Sequence, residues 1–184
     1  LGQSASGDCS IAVGGFTNTA SGNNSVLVGG NNNTASGSAA FIGGGSFNTA
    51  SGKATLIGGG YLNSALECQS TVTAGLSNTA GAVGAFIGGG YCNAAFANRS
   101  TIAGGGFNCI DEGGNLGTIA GGKLNKINAG KLFATIGGGI TNKITGSHGT
   151  IAGGHTNCAG SKAFVGGGYQ NNAFCGGGVV VGGI

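Results

Sequence analysis

An asparagine that follows a glycine-rich stretch returns about every fifteen residues along the whole chain, at Asn18, Asn33, Asn48, Asn63, Asn78, Asn93, Asn108, Asn125, Asn142, Asn157 and Asn171, with Gln3 in place of one more. The steps are 15 seven times, then 17, 17, 15 and 14. A unit this short cannot bury a core alone, so a sustained period of this size requires stacking, each unit covering the next. The fold class this predicts is all-β: a parallel β-roll, or β-solenoid, of about twelve coils.

Composition narrows the alternatives. Glycine makes up 46 of 184 residues and proline is absent, so a collagen helix, with its strict triplets and imino acids, is excluded. Disorder is excluded by 40% hydrophobic and only 6% charged residues. Polyglycine II is set aside because the glycines come in clumps between β-branched pairs. A net charge of +3, scattered, is no nucleic-acid footprint. No apolar run has the ~18 residues of a membrane span, and Leu1 opens no signal peptide. The period starts and stops in mid-unit, which reads as one repetitive segment, 1–184, from the interior of a longer chain.

Counted from each asparagine, the columns read like a sheet. Two residues after it stand small apolar residues (Ala20, Ala35, Ala50, Ala65, Ala80), which become Ile110, Ile127 and Ile144 farther on. Six before it stand Leu27, Ile42, Ile57, Val72, Ile87 and their equivalents, eight before a small residue, and four before a glycine, with Ala74 the one exception. At period two, the positions eight, six and four before share one strand face, giving strands near 10–13, 25–28 and 40–43. Seven before stand Ile11, Val26, Phe41, Leu56, Thr71, Phe86, Thr101, Thr118, Thr135, Thr150 and Phe164, without the Lys, Glu or Asn of a solvent face. One Ile and one Ala per coil are too little burial to order fifteen residues. The expectation is therefore a homotrimer of thin coils, intertwined or side-packed on one axis, and at ~4.8 Å per coil a rod section roughly 55–60 Å long. The asparagines would form a ladder of side-chain amides, or take the left-handed backbone of a tight turn; the two readings are compatible.

Ser10-Ile11-Ala12-Val13-Gly14-Gly15 and Ser25-Val26-Leu27-Val28-Gly29-Gly30, each followed by an Ala-Ser-Gly turn, resemble the head repeats of YadA-like trimeric autotransporter adhesins. The resemblance covers the chain in periodic form and is closest over 10–60. It implies a trimeric left-handed parallel β-roll that displays a surface away from the cell. The Gly-Gly-Gly-x-x-Asn units also look like those of bacteriophage tail fibres and other virion appendages. Family head repeats are a residue or so shorter, with fewer consecutive glycines, and the adhesins usually lack cysteine, whereas this chain has Cys9, Cys68, Cys92, Cys109, Cys158 and Cys175. Unmatched thiols favour assembly in a reducing compartment. The function expected is the shaft of a virion fibre that spaces a receptor-binding tip; the alternative is a bacterial surface adhesin head. A host receptor or glycan would then be engaged by parts outside this segment.

No enzyme is expected. The cysteines form no C-x-x-C pair, Cys92 and Cys109 should lie ~8 Å apart, beyond disulfide reach, and His148 and His155 have no companion ligand at metal spacing. Asp111 and Glu112 are strand neighbours that face opposite ways. No cofactor is implied. Ice binding needs a Thr-x-Thr array on successive coils, and the Asn-x-Ala triplet offers none. The irregular section 108–146, where two units lengthen to 17, is a candidate contact surface: Asp111, Glu112, Lys123, Lys126, Lys131 and Lys143, with Lys126 and Lys143 stacked in register on a swollen part of the coil. Tyr61, Tyr91 and Tyr169 follow Gly-Gly-Gly at corners, placed for packing between chains or for stacking on sugars.

Overall fold

The computed structural model describes residues 2–174 and 176–184. Its regular secondary structure is entirely β strand, and among the described residues no helix is long and apolar enough to cross a membrane. Contacts divide the chain into two compact units, 1–92 and 93–184. Each is a parallel β-solenoid of six coils, twelve in the chain.

In the first unit, sheet A is built from Ser4–Ala5, Thr19–Ala20, Thr34–Ala35, Thr49–Ala50, Ser64–Ala65 and Thr79–Ala80. Sheet B is built from Ile11–Ala12, Val26–Leu27, Phe41–Ile42, Leu56–Ile57, Thr71–Val72 and Phe86–Ile87. Every pairing is parallel and in register, so Ala35 faces Ala50 and Ile42 faces Ile57 on the next coil. The second unit repeats the plan, with sheet A from Ala94–Ala95 to Asn172–Ala173 and sheet B from Thr101–Ile102 to Val179–Val180. A third ladder of single bridges, two residues before each asparagine, runs Phe16, Asn31, Ser46, Tyr61, Leu76, Tyr91 in the first unit and Gly106, Lys123, Ile140, His155, Tyr169 in the second. Period-two reasoning misses it, because a one-residue bridge leaves no alternation to read.

The strands are two residues long, not the four expected over 10–13 and its equivalents. Two corners per coil cut them short. At these corners a residue, with a side chain in most coils but Gly84 in one, takes a left-handed backbone: φ is 57° at Phe47 and 54° at Ala54. That conformation reverses the N–H. Strand residues donate to the following coil, as Thr49 does to Asn63 O at 2.9 Å, whereas Phe47 donates back to Asn31 O at 2.9 Å and Ala54 to Ser38 O at 2.8 Å. The strain of about 1–2 kcal/mol per left-handed residue is thus spent on satisfying backbone groups that a smooth coil would leave orphaned.

The core is one side chain wide. Ile42, Ile57 and Ile87 from sheet B, Ala50, Ala65 and Ala80 from sheet A, and the small residues Ala40, Thr55, Ser70 and Ala85 fill the first unit, with the asparagines among them. The expectation for four positions before asparagine is corrected. Gly29, Gly44 and Gly59 are half-exposed, and a Cβ added to Gly44 or Gly59 would meet open space. The strand has already turned there, so alternation no longer applies. One residue later the glycine is obligatory: Gly45 has φ of 83°, and a Cβ would lie 2.1 Å from Gly60 O.

The section 108–146 lies in the second unit. Its extra residues fall in the corners between sheets, 111–117 and 128–134, against five residues in 51–55. Its core exchanges volume across the coil. Where Ile110, Ile127 and Ile144 replace alanine, the facing small position becomes Gly117, Ala134 and Gly149. A Cβ on Gly117 would stand 2.8 Å from Gly114 O and 3.3 Å from Ile110 Cγ2 and Ile127 Cδ1, and one on Gly149 2.8 Å from Gly160 O and 3.0 Å from Ile144 Cγ2, so backbone and isoleucine together exclude a side chain. Close packing favours that trade at Gly117 and Gly149, while Ala134 is no smaller than Ala40 or Ala85.

Candidate contact surface

The asparagine ladder is the most regular polar structure in the chain. Asn18, Asn33, Asn48, Asn63 and Asn78 in the first unit, and Asn93, Asn108, Asn125, Asn142 and Asn157 in the second, are almost completely buried; Asn171 is half-buried. None of these asparagines takes the left-handed backbone; the residue before each one does. That turn aims the asparagine N–H into the core, beyond the sheet ladder, where the preceding asparagine Oδ1 accepts it: Asn48 N to Asn33 Oδ1 is 2.9 Å and Asn142 N to Asn125 Oδ1 is 3.0 Å. The amide Nδ2 donates to the carbonyl four residues back and to the glycine carbonyl of the following coil, at 3.1 and 3.0 Å from Asn48 to Gly44 and Gly60. Direct amide–amide bonds are secondary, at 3.0 to 3.3 Å for Asn33, Asn48 and Asn78. The ladder therefore joins side chains to backbone, and only a side chain with both a donor and an acceptor can fill it.

Outside, the two sheets of the first unit differ. Sheet A shows Ser4, Thr19, Thr34, Thr49, Ser64 and Thr79, and just beyond the strands Ser6, Ser21, Ser36 and Ser51. Sheet B shows Ile11, Val26, Phe41, Leu56, Thr71 and Phe86. Ile11, Phe41, Leu56 and Phe86 are 37–51% exposed, so the second sheet face is not buried within one chain as its composition leads one to expect. In the second unit sheet B instead carries Thr101, Thr118, Thr135 and Thr150 before Phe164, while sheet A carries Ala94, Cys109, Lys126, Lys143, Cys158 and Asn172. The triplet compared with ice-binding arrays, Asn-x-Ala, points inward. The outward columns of sheet A read Thr-x-Ser over Thr19–Ser21, Thr34–Ser36 and Thr49–Ser51, so that exclusion rested on the wrong face.

The charged residues of 108–146 only partly converge. Lys126 Nζ lies 2.9 Å from Asp111 Oδ2, and Cys109 Sγ donates to Asp111 Oδ1 at 3.2 Å. Lys126 pairs in register with Cys109 on one side and Lys143 on the other. The hydrogen bond to Asp111 raises the Lys126 pKa, and burial, with help from Asp111, pushes the Cys109 thiol up to about 11. This thiol stays protonated at neutral pH and is a poor nucleophile. Lys123 is elsewhere, on the bridge ladder between Gly106 and Ile140. Glu112 and Lys131 sit in successive corners, linked through Gly130 N to Glu112 O at 2.9 Å. The six residues are thus one ion pair with a neighbouring lysine, plus three scattered charges.

Cys9, Cys68, Cys92, Cys109 and Cys158 are free thiols, Cys9 and Cys68 exposed; Leu1 and Cys175 lie outside the described residues. Among the described residues no group of three or more His, Cys, Asp or Glu could hold a metal ion. His148 stacks on Phe133 at 5.3 Å and His155 on Tyr169 at 5.1 Å, with 7° between the latter rings. The three tyrosines lie on the bridge ladder, not at free corner tips, and Tyr61 packs edge-on against Phe47 at 5.6 Å. No protein-family model matches the chain, and no curated protein sequence matches it.

Proposed function

We propose that this chain is the shaft of a virion fibre, a bacteriophage tail fibre in the simplest case, in which three left-handed coils pack side by side and hold a receptor-binding tip away from the particle. The observation that carries the reading is the exposed apolar surface of the first unit, on sheet B and on the bridge ladder at Phe16, Tyr61 and Leu76. Four large apolar side chains, Ile11, Phe41, Leu56 and Phe86, stand exposed in one in-register column on sheet B, while sheet A shows hydroxyls. A row of that kind on a fold with so thin a core is what a second and third copy would cover. Phe164, similarly exposed, marks the corresponding contact in the second unit. The polar inventory supports a spacer: the most ordered polar groups, the asparagines, are consumed in holding coils together. Free thiols at exposed Cys9 and Cys68 favour a protein assembled under reducing conditions over an exported adhesin head.

Light scattering on the purified chain tests the assembly. A particle of three times 17.2 kDa, unfolding in a concentration-dependent manner, is expected, with Phe86→Lys blocking assembly. A folded monomer would overturn the trimer and weaken the shaft reading. Mass spectrometry of purified particles tests the location: the chain must be found in an appendage fraction, and its recovery from a bacterial outer surface instead would replace the virion with the adhesin.

A further inference from the structure

We infer that the outward face of sheet A in the first unit is an ice-binding surface. On three successive coils this face carries Thr19 with Ser21, Thr34 with Ser36, and Thr49 with Ser51; the threonines pair in register across the sheet, and the serines just beyond continue the ladder, Ser21 N donating to Ala35 O at 3.0 Å and Ser36 N to Ala50 O at 2.9 Å. Hydroxyl-bearing Ser4 with Ser6 extends it at one end, and Ser64 and Thr79 prolong the first column at the other. Strand geometry sets these groups on a rectangular net of about 4.8 Å between coils and about 6.7 Å along each strand. The coils here are all fifteen residues long, so the net does not drift out of register. Oxygen rows on the prism faces of hexagonal ice repeat on a rectangular net of closely similar size.

The chemistry of the face fits an ordered water lattice better than a soluble ligand. The hydroxyls of Thr19, Thr34, Thr49, Ser21 and Ser36 have no hydrogen-bond partner within the chain, which leaves them for water, whereas Ser51 Oγ donates to Leu66 O at 3.3 Å. Threonine is stiff at χ1, so each hydroxyl and methyl is held in place before anything binds. The methyls order adjacent water by restricting its orientations, and no Lys, Arg, Asp or Glu interrupts either column. Each hydroxyl pair alone is a weak, shallow site. Only a ligand with the same repeat engages all of them at once and gains the multivalent term; a crystal does this and a small solute does not. The second unit lacks the paired column: its threonines Thr101, Thr118, Thr135 and Thr150 are followed two residues on by Ala103, Ala120, Gly137 and Ala152.

The inference does not depend on the fibre reading, because it uses sheet A and self-association uses sheet B. The test is growth of a single ice crystal in a solution of the full chain, watched in a nanolitre osmometer, with the labelled chain also offered to an ice hemisphere. Faceted crystals, a gap between melting and growth temperatures, and incorporation on prism planes are expected. Thr34→Tyr, which lifts the ice off the centre of the net, should lose most of this activity while circular dichroism stays that of the parent; Thr49→Lys provides a second such variant. Arg99→Ala, in the second unit, should change nothing. Round, unfaceted crystals with the parent chain would overturn the inference, as would full activity in both folded net variants. A trimer indifferent to ice removes this inference alone, and an ice-active monomer removes the shaft reading alone.

Discussion

Replacing Asn48 by Ala tests whether the ladder holds the coils together or merely decorates them. The side chain is fully buried and makes four hydrogen bonds. On its removal, Asn33 Oδ1 still accepts from Asn48 N, and Gly60 O still accepts from Ser46 N at 2.9 Å. Asn63 N, however, loses the Asn48 Oδ1 that stood 2.9 Å away and is left buried without a partner. An orphaned buried N–H costs ~1–3 kcal/mol, and the bonds to Gly44 and Gly60 are worth about 1 kcal/mol each, for a total near 4 kcal/mol. Against a domain stability of ~5–15 kcal/mol this is a large loss. Urea unfolding at fixed chain concentration should show it, and hydrogen exchange at the Asn63 amide should accelerate more than at distant coils. Lys53→Ala, on an exposed corner, should stay within ~0.5 kcal/mol. If Asn48→Ala also stays within ~0.5 kcal/mol, a margin small beside the cost of an orphan donor, the ladder argument is wrong.

Asn48→Asp would retain the acceptor for Asn63 but turn a carboxylate toward the Gly44 and Gly60 carbonyls. Its folded pKa should rise above the unfolded ~3.9, so stability is present below that pH and is lost as pH rises through the folded value; a flat pH profile would refute this. Gly45→Ala should disrupt its coil, because the Cβ would lie 2.1 Å from Gly60 O at a φ of 83°, whereas Gly44→Ala should be nearly silent, with nothing within 4 Å; equal thermal shifts would contradict the assignment. Ala50→Leu should cost ~1–3 kcal/mol or more by overpacking a fully buried position, read as a lowered melting temperature beside an unchanged Lys53→Ala. Cys109, with its thiol raised to about 11, should alkylate far more slowly at pH 8 than exposed Cys68, and gain reactivity only as pH approaches the raised value; equal rates measured by mass spectrometry would refute its assigned burial.

The solenoid class, the coil count and the inward columns of Ile42, Ala50 and Asn48 were legible in the sequence, because stacking in register forces like residues to repeat at like positions. The irregular section was legible too, since an insertion breaks the period wherever it falls. The ion pair of Lys126 with Asp111 was readable only as a neighbourhood: two residues on adjacent coils can be placed side by side by counting, but their rotamers cannot. Tertiary structure alone decided where each strand ends, and through that which columns face out. Alternation carried past Ile42 puts Gly44 in the core; the left-handed corners and the glycine turn put it at the surface. Sheet A follows the same rule: with Asn48 and Ala50 turned into the core, Thr49 and Ser51 are the residues that meet solvent. A periodic sequence fixes the repeat distance and the residues that recur, since both follow from stacking. The direction in which each one points depends on where the backbone reverses its hydrogen bonds, and that is settled only when neighbouring coils are in place to accept them.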